Sequence, residues 1–476
     1  MSNKDETAIL KEVMMGFLPL KKNERSFGFW DLLLIQVGVG ISCFGLLVGG
    51  YTGLVLDAKD SMAAILFGNA LPVLLTMPIA ILFTRYGVDT FVGFRSALGY
   101  RGSNILFALF MILNLGFITI ACFMVGQSVI KLLSLFQFSE FWTARETGAP
   151  LFAIIGFVLA LMIAHKGPVG IKWLNWIGIP AIFLVLMGLI VVLFIHQGMD
   201  KVFALKPSAA YPSDVRSFAT AIEFNIGLGF SWLVYIGQYS RLAKSEKGAF
   251  ASGFWSYGFF VNAAAILGAL CTLVVASQDP PDWMANIGGS LIWTLIGLVL
   301  LIVGNITAAV FLIYSQAVSF KTVFPKQKWM VAVATTIPAI ILMISPSFYD
   351  AYSKFLSVVS YTMAVMGGIV ISDFFFVKKQ RVSLRDLYNL NGAYRYWNGV
   401  NPSAIISLIV GTIVYWSLYN PLTDHAHDLF QYMTGGLPTY FVSAICYYVC
   451  SKYLFAYPVD RPDLAGKALH LEKKIN

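Results

Sequence analysis

Long uninterrupted apolar runs dominate this sequence and restrict what the chain can fold into. Twelve runs of roughly 18–30 residues are each long enough to cross a bilayer as a helix. The strands of a membrane β-barrel would alternate apolar and polar residues and would not produce such runs. The runs lie near residues 29–54, 61–86, 103–133, 149–165, 173–196, 217–240, 250–277, 288–318, 329–346, 355–378, 402–420 and 431–456.

The composition also indicates that lipid is the solvent for most of the chain. Of the 476 residues, 58% are hydrophobic and 12% are charged, whereas soluble domains carry about 25% charged residues. We therefore predict an all-α polytopic membrane protein with twelve transmembrane helices. One transporter domain is expected over residues 25–456, between cytoplasmic tails at 1–24 and 457–476, and we expect it to act as a monomer in the lipid bilayer.

The distribution of basic residues predicts the orientation of the helices. With the amino terminus in the cytoplasm, the inner segments hold 26 of the 33 Lys and Arg residues and the outer loops hold 7. This asymmetry predicts a multi-pass protein of the cell membrane with both termini in the cytoplasm. The net charge of +9 follows from the same topology, and because the charges are spread over every inner loop, we expect no nucleic-acid partner.

The histidines and cysteines do not form a recognisable catalytic or metal-binding pattern. All five cysteines fall inside predicted helices, and the five histidines lie in loops or at helix ends. None of them has the spacing of a zinc site or of a nucleophilic triad. We therefore expect a transporter rather than an enzyme, without a bound cofactor.

A short motif occurs twice and predicts an internal repeat. Residues 38–42 read GVGIS and residues 227–231 read GLGFS, which is an offset of 189 residues or five predicted helices. An odd number of helices between two copies inverts the second copy in the membrane, as in many secondary transporters. Paired glycines weaken a helix, so the motif favours breaks in helices one and six, and close packing of small residues is the alternative.

Several loop segments resemble nucleobase–cation symporter family 1, the permeases for cytosine, purines, uracil, thiamine, allantoin and hydantoins. The resemblance covers residues 18–460 and is most specific after the tenth helix. The matching segments are 371–379 (ISDFFFVKK), 383–388 (SLRDLY), 392–401 (GAYRYWNGVN), 24–25 (ER), 30–31 (WD), 86–88 (YGV), 95–103 (RSALGYRGS) and 239–241 (YSR).

This resemblance implies a fold and a function. The family fold is the leucine-transporter-like arrangement of two inverted five-helix repeats with helices one and six broken. The family activity is import of a small heterocycle by cation symport with alternating access. A nucleobase such as cytosine, a purine or uracil is the first expected substrate, and a vitamin or precursor of the thiamine, pyridoxine or hydroxymethylpyrimidine type is the alternative.

The resemblance also implies a substrate pocket between helices one, three, six and eight. Family members stack the substrate on aromatic residues of helices three and six. On helix three, Phe117 or Asn114 takes the stacking and edge-reading positions, and Ile118 stands at the position of a family glutamine. On helix six, Gly229 stands at the position of a frequent tryptophan. The remaining candidates for this pocket are Gly40, Ser42, Phe230, Trp232 and Asn305.

The coupling ion is left open between sodium and a proton. The family cation site is implied at the carbonyls of Gly38 and Ile41 and at the helix-eight positions Val303, Ile306 and Thr307. Only Thr307 supplies a hydroxyl there, and Asn305 is the candidate for a missing oxygen.

The proton alternative rests on a carboxylate within an apolar run. Glu223 on helix six is the clearest example, and removal from water favours its neutral form, which suits a proton carrier. Hydrogen bonding to a neighbour such as Asn225 is the competing, structural interpretation. Asp373 lies beside Lys378 and Lys379 and is interpreted as a structural or gating charge.

Overall fold

The structure of the chain is a computed structural model that describes residues 18–40, 43–166, 168–288 and 290–455. Within those residues, eight helices are long and apolar enough to cross a membrane, and four shorter apolar helices accompany them. We number the membrane segments as spans 1–12 in chain order. Spans 1–6 are Phe29–Gly40 with Cys43–Val55, Ala58–Thr76 with Met77–Ile79 and Ala80–Tyr86, Arg95–Leu135, Gly148–His165, Pro168–Gln197, and Asp214–Ser231 with Trp232–Val234 and Ile236–Ser240. Spans 7–12 are Glu246–Trp255 with Ser256–Phe260 and Val261–Val275, Leu291–Val323, Trp329–Ala334 with Ala339–Met343, Tyr352–Ile371 with Ser372–Val377, Pro402–Leu418, and Gly436–Val449 with Cys450–Leu454.

Short elements connect the spans. Two two-residue strands, Tyr419–Asn420 and His425–Ala426, pair antiparallel between spans 11 and 12. The connecting helices are Lys22–Glu24, Thr90–Gly93, Glu140–Thr143, Met199–Ala204, Pro280–Asn286, Ser347–Asp350, Leu384–Tyr388, Ala393–Arg395 and Phe430–Met433.

The spans pack in two groups. Spans 1, 2, 6 and 7 pack against one another and form the group that we call the bundle. Spans 3, 4, 8 and 9 pack against one another and form the group that we call the scaffold. Spans 1 and 2 have their counterparts five spans later, spans 6 and 7, in the bundle. Spans 3 and 4 have theirs, spans 8 and 9, in the scaffold, which is the arrangement that an inverted repeat produces.

The helical path of span 6 changes next to the repeat motif, and span 1 is described on either side of its own copy. In span 1, one helix ends at Gly40 and the next begins at Cys43, and the predicted site residues Ile41 and Ser42 lie outside the described residues. In span 6, the α-helix continues to Ser231 and changes to a 3₁₀ turn over Trp232–Val234. The change in span 6 therefore comes directly after the segment 227–231 where we predicted it.

The paired glycines of span 6 serve close packing instead of a break. A Cβ atom on Gly227 would collide with the carbonyl oxygen of Leu356 in span 10. A Cβ atom on Gly229 would lie 2.6 Å from the carbonyl oxygen of Asn69 in span 2. The alternative interpretation, packing through small residues, is therefore the correct one for these two positions.

The loop motifs meet at the expected cytoplasmic end of the scaffold. Gly99 and Gly399 have φ angles of 79° and 93°, which favour glycine. A Cβ atom on Gly99 would collide with the carbonyl oxygen of Gly399, so the two loops touch backbone to backbone. The Asn401 side-chain nitrogen donates a hydrogen bond to the Ala97 carbonyl oxygen at 2.8 Å, which stabilises the contact between these two segments.

Candidate substrate cavity and cation site

A narrow cavity lies where the bundle meets the scaffold, next to the 3₁₀ turn of span 6. Its volume is about 20 Å³, which is about the space of one water molecule. Its lining comes from spans 1, 3, 6, 7 and 8. The lining residues are Phe44, Phe117, Leu228, Ser231, Trp232, Tyr235, Tyr257 and Leu312.

Trp232 forms the centre of an aromatic wall on the bundle side of the cavity. Its ring stacks on Tyr257 with centroids 4.2 Å apart, on Tyr235 at 5.2 Å and on Tyr239 at 5.7 Å. The indole nitrogen donates a hydrogen bond to the side-chain oxygen of Gln36 at 3.1 Å, which fixes the ring from span 1. The 3₁₀ turn that begins at Trp232 therefore directs a large flat surface toward the cavity.

Phe117 provides the aromatic surface on the scaffold side. Its ring packs edge-to-face against Phe44 at 5.3 Å and against Phe355 at 5.0 Å. Phe117 and Trp232, the candidate stacking residues of spans 3 and 6, both line the cavity. Their contact with a substrate stays a prediction.

Asn114 supports the cavity from behind. Its side-chain oxygen accepts a hydrogen bond from the Tyr235 hydroxyl at 2.7 Å. Its nitrogen donates to the side-chain oxygen of Gln316 at 2.9 Å and to the Leu312 carbonyl oxygen at 3.1 Å. Asn114 therefore holds two lining residues, Tyr235 and Leu312, and does not itself line the cavity.

Three other predicted residues lie away from the cavity. Phe230 is fully buried and stacks on Tyr440 of span 12 with centroids 5.6 Å apart. Gly229 faces Asn69 in span 2, and Ile118 is completely buried in the packed core. The helical turn of span 6 points Trp232 toward the cavity and Phe230 away from it, because residues two apart project to opposite sides of a helix.

Gly40 borders the cavity through its backbone. A Cβ atom there would collide with Val261 and lie 3.1 Å from Cε2 of the lining residue Tyr257. Because Gly40 has no side chain, the Tyr257 ring can pack against its backbone.

Sequence reasoning missed six lining residues, which are Tyr257, Tyr235, Phe44, Leu228, Ser231 and Leu312. For span 6 the helical spacing of Leu228, Ser231 and Tyr235 was an available signal.

The predicted cation residues of spans 1 and 8 converge on span 5. A Cβ atom on Gly38 would lie 2.6 Å from the side chain of Ile179, and one on Gly178 would collide with Thr307. The Thr307 hydroxyl donates to the Val303 carbonyl oxygen at 2.8 Å, as one turn of helix allows. Gly38 and Thr307 thus face consecutive residues of span 5.

Asn305 does not complete this cation site. It lies two residues from Thr307, and residues at that spacing point to opposite sides of a helix. Its nitrogen donates to the Leu301 carbonyl oxygen at 2.9 Å, while its buried oxygen has no hydrogen-bond partner among the described residues. Val303 and Ile306 can contribute only backbone oxygens.

Glu223 has a different environment from the one predicted. Its carboxylate accepts hydrogen bonds from the Ser360 hydroxyl at 2.7 Å and the Tyr415 hydroxyl at 3.0 Å. The backbone nitrogens of Gly435 and Gly436, at the start of span 12, donate at 2.9 and 3.0 Å. The expected neighbour Asn225 donates instead to Thr52 and Ala221.

This set of donors favours the structural interpretation of Glu223 over the proton carrier. Four donors and the amino-terminal end of a helix all favour a charged carboxylate. They come from spans 10, 11 and 12, none of which lines the cavity. Glu223 therefore joins span 6 to these three spans.

Comparison with known proteins agrees with this arrangement. The model of the permease family for cytosine/purines, uracil, thiamine and allantoin matches residues 19–442. The chain belongs to this permease family. It is therefore a multi-pass membrane transporter and not an enzyme, as predicted.

Individual relatives extend over most of the chain. It is 26% identical over 416 residues to the hydantoin permease of Microbacterium maritypicum, which covers 83% of this chain and 82% of that protein. Among solved structures, the inward-facing conformation of Mhp1 superposes with a TM-score of 0.75 at 21% identity, covering 93% of this chain and 94% of Mhp1. Mhp1 of nucleobase-cation-symport-1 in a closed conformation with bromovinylhydantoin bound gives 0.72 at 22% identity, covering 94% and 98%. The solved structures confirm the predicted inverted-repeat fold.

Proposed function

We propose that this permease imports a small planar heterocycle, of the nucleobase or the hydantoin and allantoin type, by cation symport with alternating access. The observation that carries the proposal is the cavity between bundle and scaffold, with Phe117 on one side and Trp232 on the other. A flat ring gains stacking contacts from such surfaces. A solved relative of the same fold holds a hydantoin derivative.

The relatives order the two substrate classes. A hydantoin permease and an allantoin permease resemble this chain over most of its length, and a solved structure of the same fold holds a hydantoin derivative. We therefore place the vitamin or precursor carrier second.

The two groups of spans provide the moving parts of the transport cycle. The cavity lies at their boundary, so a rotation of the bundle against the scaffold opens it first to one side of the membrane and then to the other. Hydrogen bonds from Tyr235 to Asn114 and from Gln238 to Ser319, at 2.7 and 2.8 Å, cross this boundary on the expected cytoplasmic side. They hold that side closed and must break before substrate leaves inward.

Sodium is the coupling ion that we infer. Gly38 and Thr307 each lie against span 5, at Ile179 and Gly178 respectively, and oxygen ligands of a carbonyl and a hydroxyl suit a hard cation. The Ile41 carbonyl belongs to the same proposed set. A proton carried by Glu223 is the alternative, but four donors already hold that carboxylate.

We also infer the cell membrane as the location, with both termini in the cytoplasm, from the Lys and Arg distribution.

A ligand screen tests the substrate class. Purified protein is heated with hydantoin, allantoin, uracil, cytosine, purines and thiamine, with and without sodium. A true ligand raises the melting temperature in a concentration-dependent manner, and sodium should increase that shift. Phe117→Ala should weaken the binding of the best ligand by about 1–3 kcal/mol if its ring stacks on the substrate. The proposal fails if no heterocycle shifts the melting temperature.

Transport in proteoliposomes tests the ion. Sodium coupling requires uptake that rises with an inward sodium gradient at fixed pH and loses this dependence in Thr307→Val. Proton coupling requires uptake driven by a pH gradient without sodium and abolished in Glu223→Gln. Uptake that responds to neither gradient would make the protein a facilitator.

A further inference from the structure

Tyr257 reaches the cavity from an unusual turn of span 7. Residues Ser256–Phe260 form a π-helical turn between two α-helical segments, and such turns are frequent at functional sites. The side-chain nitrogen of Asn69 in span 2 donates to the Tyr257 carbonyl oxygen at 2.6 Å. The nitrogen of Asn262 donates to the Gly258 carbonyl oxygen at 2.8 Å. Two asparagines thus stabilise the turn that presents Tyr257.

The ring of Tyr257 is held in one position. It stacks on Trp232 with centroids 4.2 Å apart and planes inclined by 22°. On another side it lies against the backbone of Gly40, where any larger residue would come within 3.1 Å of the ring. A ring held from spans 1 and 6 keeps its hydroxyl in a fixed position, and Tyr257 is one of the lining residues of the cavity.

The hydroxyl of Tyr257 remains available for a ligand. It makes no hydrogen bond with any residue that the structure describes. The other hydroxyls of the lining are engaged, because Tyr235 donates to Asn114 and Ser231 donates to the Leu228 carbonyl oxygen at 2.6 Å. The indole nitrogen of Trp232 donates to Gln36. Tyr257 lines the cavity and keeps 5% of its surface exposed, so a polar atom bound there can accept a hydrogen bond from this hydroxyl.

We propose that Tyr257 determines specificity, donating a hydrogen bond from its hydroxyl to a carbonyl oxygen on the edge of the bound heterocycle. The ring extends the stacking wall of Trp232, and the hydroxyl selects compounds with an amide or ureide edge over rings that lack one. This inference rests on the proposed function, since it assumes that the cavity holds the substrate.

The test compares two tyrosine variants of the full-length protein. The probe is the tightest-binding compound of hydantoin, allantoin, uracil and cytosine, with its affinity measured by calorimetry in detergent. Tyr257→Phe keeps the stacked ring and removes the hydroxyl, so the affinity should fall about 3- to 10-fold, as the loss of one net hydrogen bond predicts. Tyr440→Phe is the matched control, because its hydroxyl donates to the Leu75 carbonyl oxygen away from the cavity. That variant should bind like the parent.

A ligand analogue provides the second test of the Tyr257 hydrogen bond. Replacing the ring carbonyl by a methylene group should weaken binding to the parent, and the loss should largely disappear in Tyr257→Phe. Unchanged affinity in Tyr257→Phe together with weaker binding in Phe117→Ala would overturn this inference and leave the proposed function standing. Unchanged affinity in both variants would remove the cavity as the substrate site. If none of the four compounds binds the folded protein, the proposed function fails and the inference with it.

Discussion

The hydroxyl of Tyr235 in span 6 donates a hydrogen bond to the side-chain oxygen of Asn114 in span 3, at 2.7 Å. The side-chain nitrogen of Asn114 donates to the side-chain oxygen of Gln316 in span 8. Gln316 in turn donates to the carbonyl oxygen of Thr335, beside span 9, at 3.2 Å. One lining residue of the bundle is therefore connected to three spans of the scaffold. Because alternating access moves the bundle against the scaffold, we expect this bond to break when the cytoplasmic side opens.

Removal of the Tyr235 hydroxyl should therefore loosen the closed state. Tyr235→Phe leaves the Asn114 oxygen buried without this donor, at a cost of about 1–3 kcal/mol in the closed state. A shift of that size opens the inner half of span 6 about tenfold more often. Hydrogen–deuterium exchange of the backbone amides in Ile236–Ser240 should accelerate accordingly. Tyr440→Phe should exchange like the parent, and equal rates in Tyr235→Phe would show that the bond does not hold the closed state.

The carboxylate of Glu223 should matter for stability at every pH. Glu223→Gln introduces an amide nitrogen where four donors converge, so at least one donor loses its acceptor. We expect a loss of about 1–3 kcal/mol, measured as a lower melting temperature of the purified protein. Ser360→Ala removes one donor only and should have a smaller effect. A Glu223→Gln protein as stable as the parent that has lost only pH-driven uptake would restore the proton-carrier interpretation.

Apolar run length predicted the spans because it is a local property of the sequence. The tenth run, predicted at 355–378, is observed as Tyr352–Val377. The side of the helix on which a residue meets the cavity is not a local property of the sequence, because it depends on packing against other spans. Trp232 and Phe230 have similar side chains, and only their packing, against Tyr257 and Tyr440 respectively, decides which of them reaches the cavity.

The function of the glycines and of Glu223 depends on residues far away in the chain. Gly227 and Gly229 match the repeat motif, but their neighbours Leu356 and Asn69 make them packing residues. The hydroxyl donors of Glu223 lie 137 and 192 residues away. No sequence pattern around position 223 reveals these donors. A carboxylate in an apolar run without a visible partner therefore suggested a proton carrier.

An outer-loop carboxylate should make stability depend on pH. Asp279 lies between spans 7 and 8, and burial raises its pKa from the usual value to about 6, with a contribution from Asp282. A hydrogen bond from Tyr349 and the charge of Arg145, 3.9 Å away, act in the opposite direction, whereas Asp350 adds to the rise. Between about pH 4 and 6 the folded state holds a proton that the unfolded chain has lost, so the contribution of Asp279 to stability falls as the pH rises.

Asp279→Asn keeps the neutral form at all pH values and should remove this dependence. The melting temperature of the variant relative to the parent should rise between pH 4 and pH 6.5 and then level off. The full effect is about 1–3 kcal/mol. A constant difference between the two proteins over this range would contradict the assignment of the titration to Asp279.

The last prediction concerns Asp373 and Lys378, an ion pair at the expected cytoplasmic end whose side chains are 1% and 0% exposed. The Tyr447 hydroxyl donates to Asp373 at 2.7 Å and the Ser96 hydroxyl at 3.1 Å, so the pair ties span 10 to spans 3 and 12. Removing one member of a buried pair leaves the other charge without compensation. Lys378→Met should therefore destabilise the protein by about 3–5 kcal/mol, measured by thermal unfolding in detergent.

The neighbouring lysine and a double variant make this prediction specific. Lys379 belongs to the same loop but is exposed, so Lys379→Met should leave the melting temperature nearly unchanged. Asp373→Asn combined with Lys378→Met removes both charges and should be more stable than Lys378→Met alone, because no uncompensated carboxylate remains buried. A double variant less stable than Lys378→Met would mean that Asp373 holds spans 3, 10 and 12 together through its hydroxyl partners, independently of the lysine.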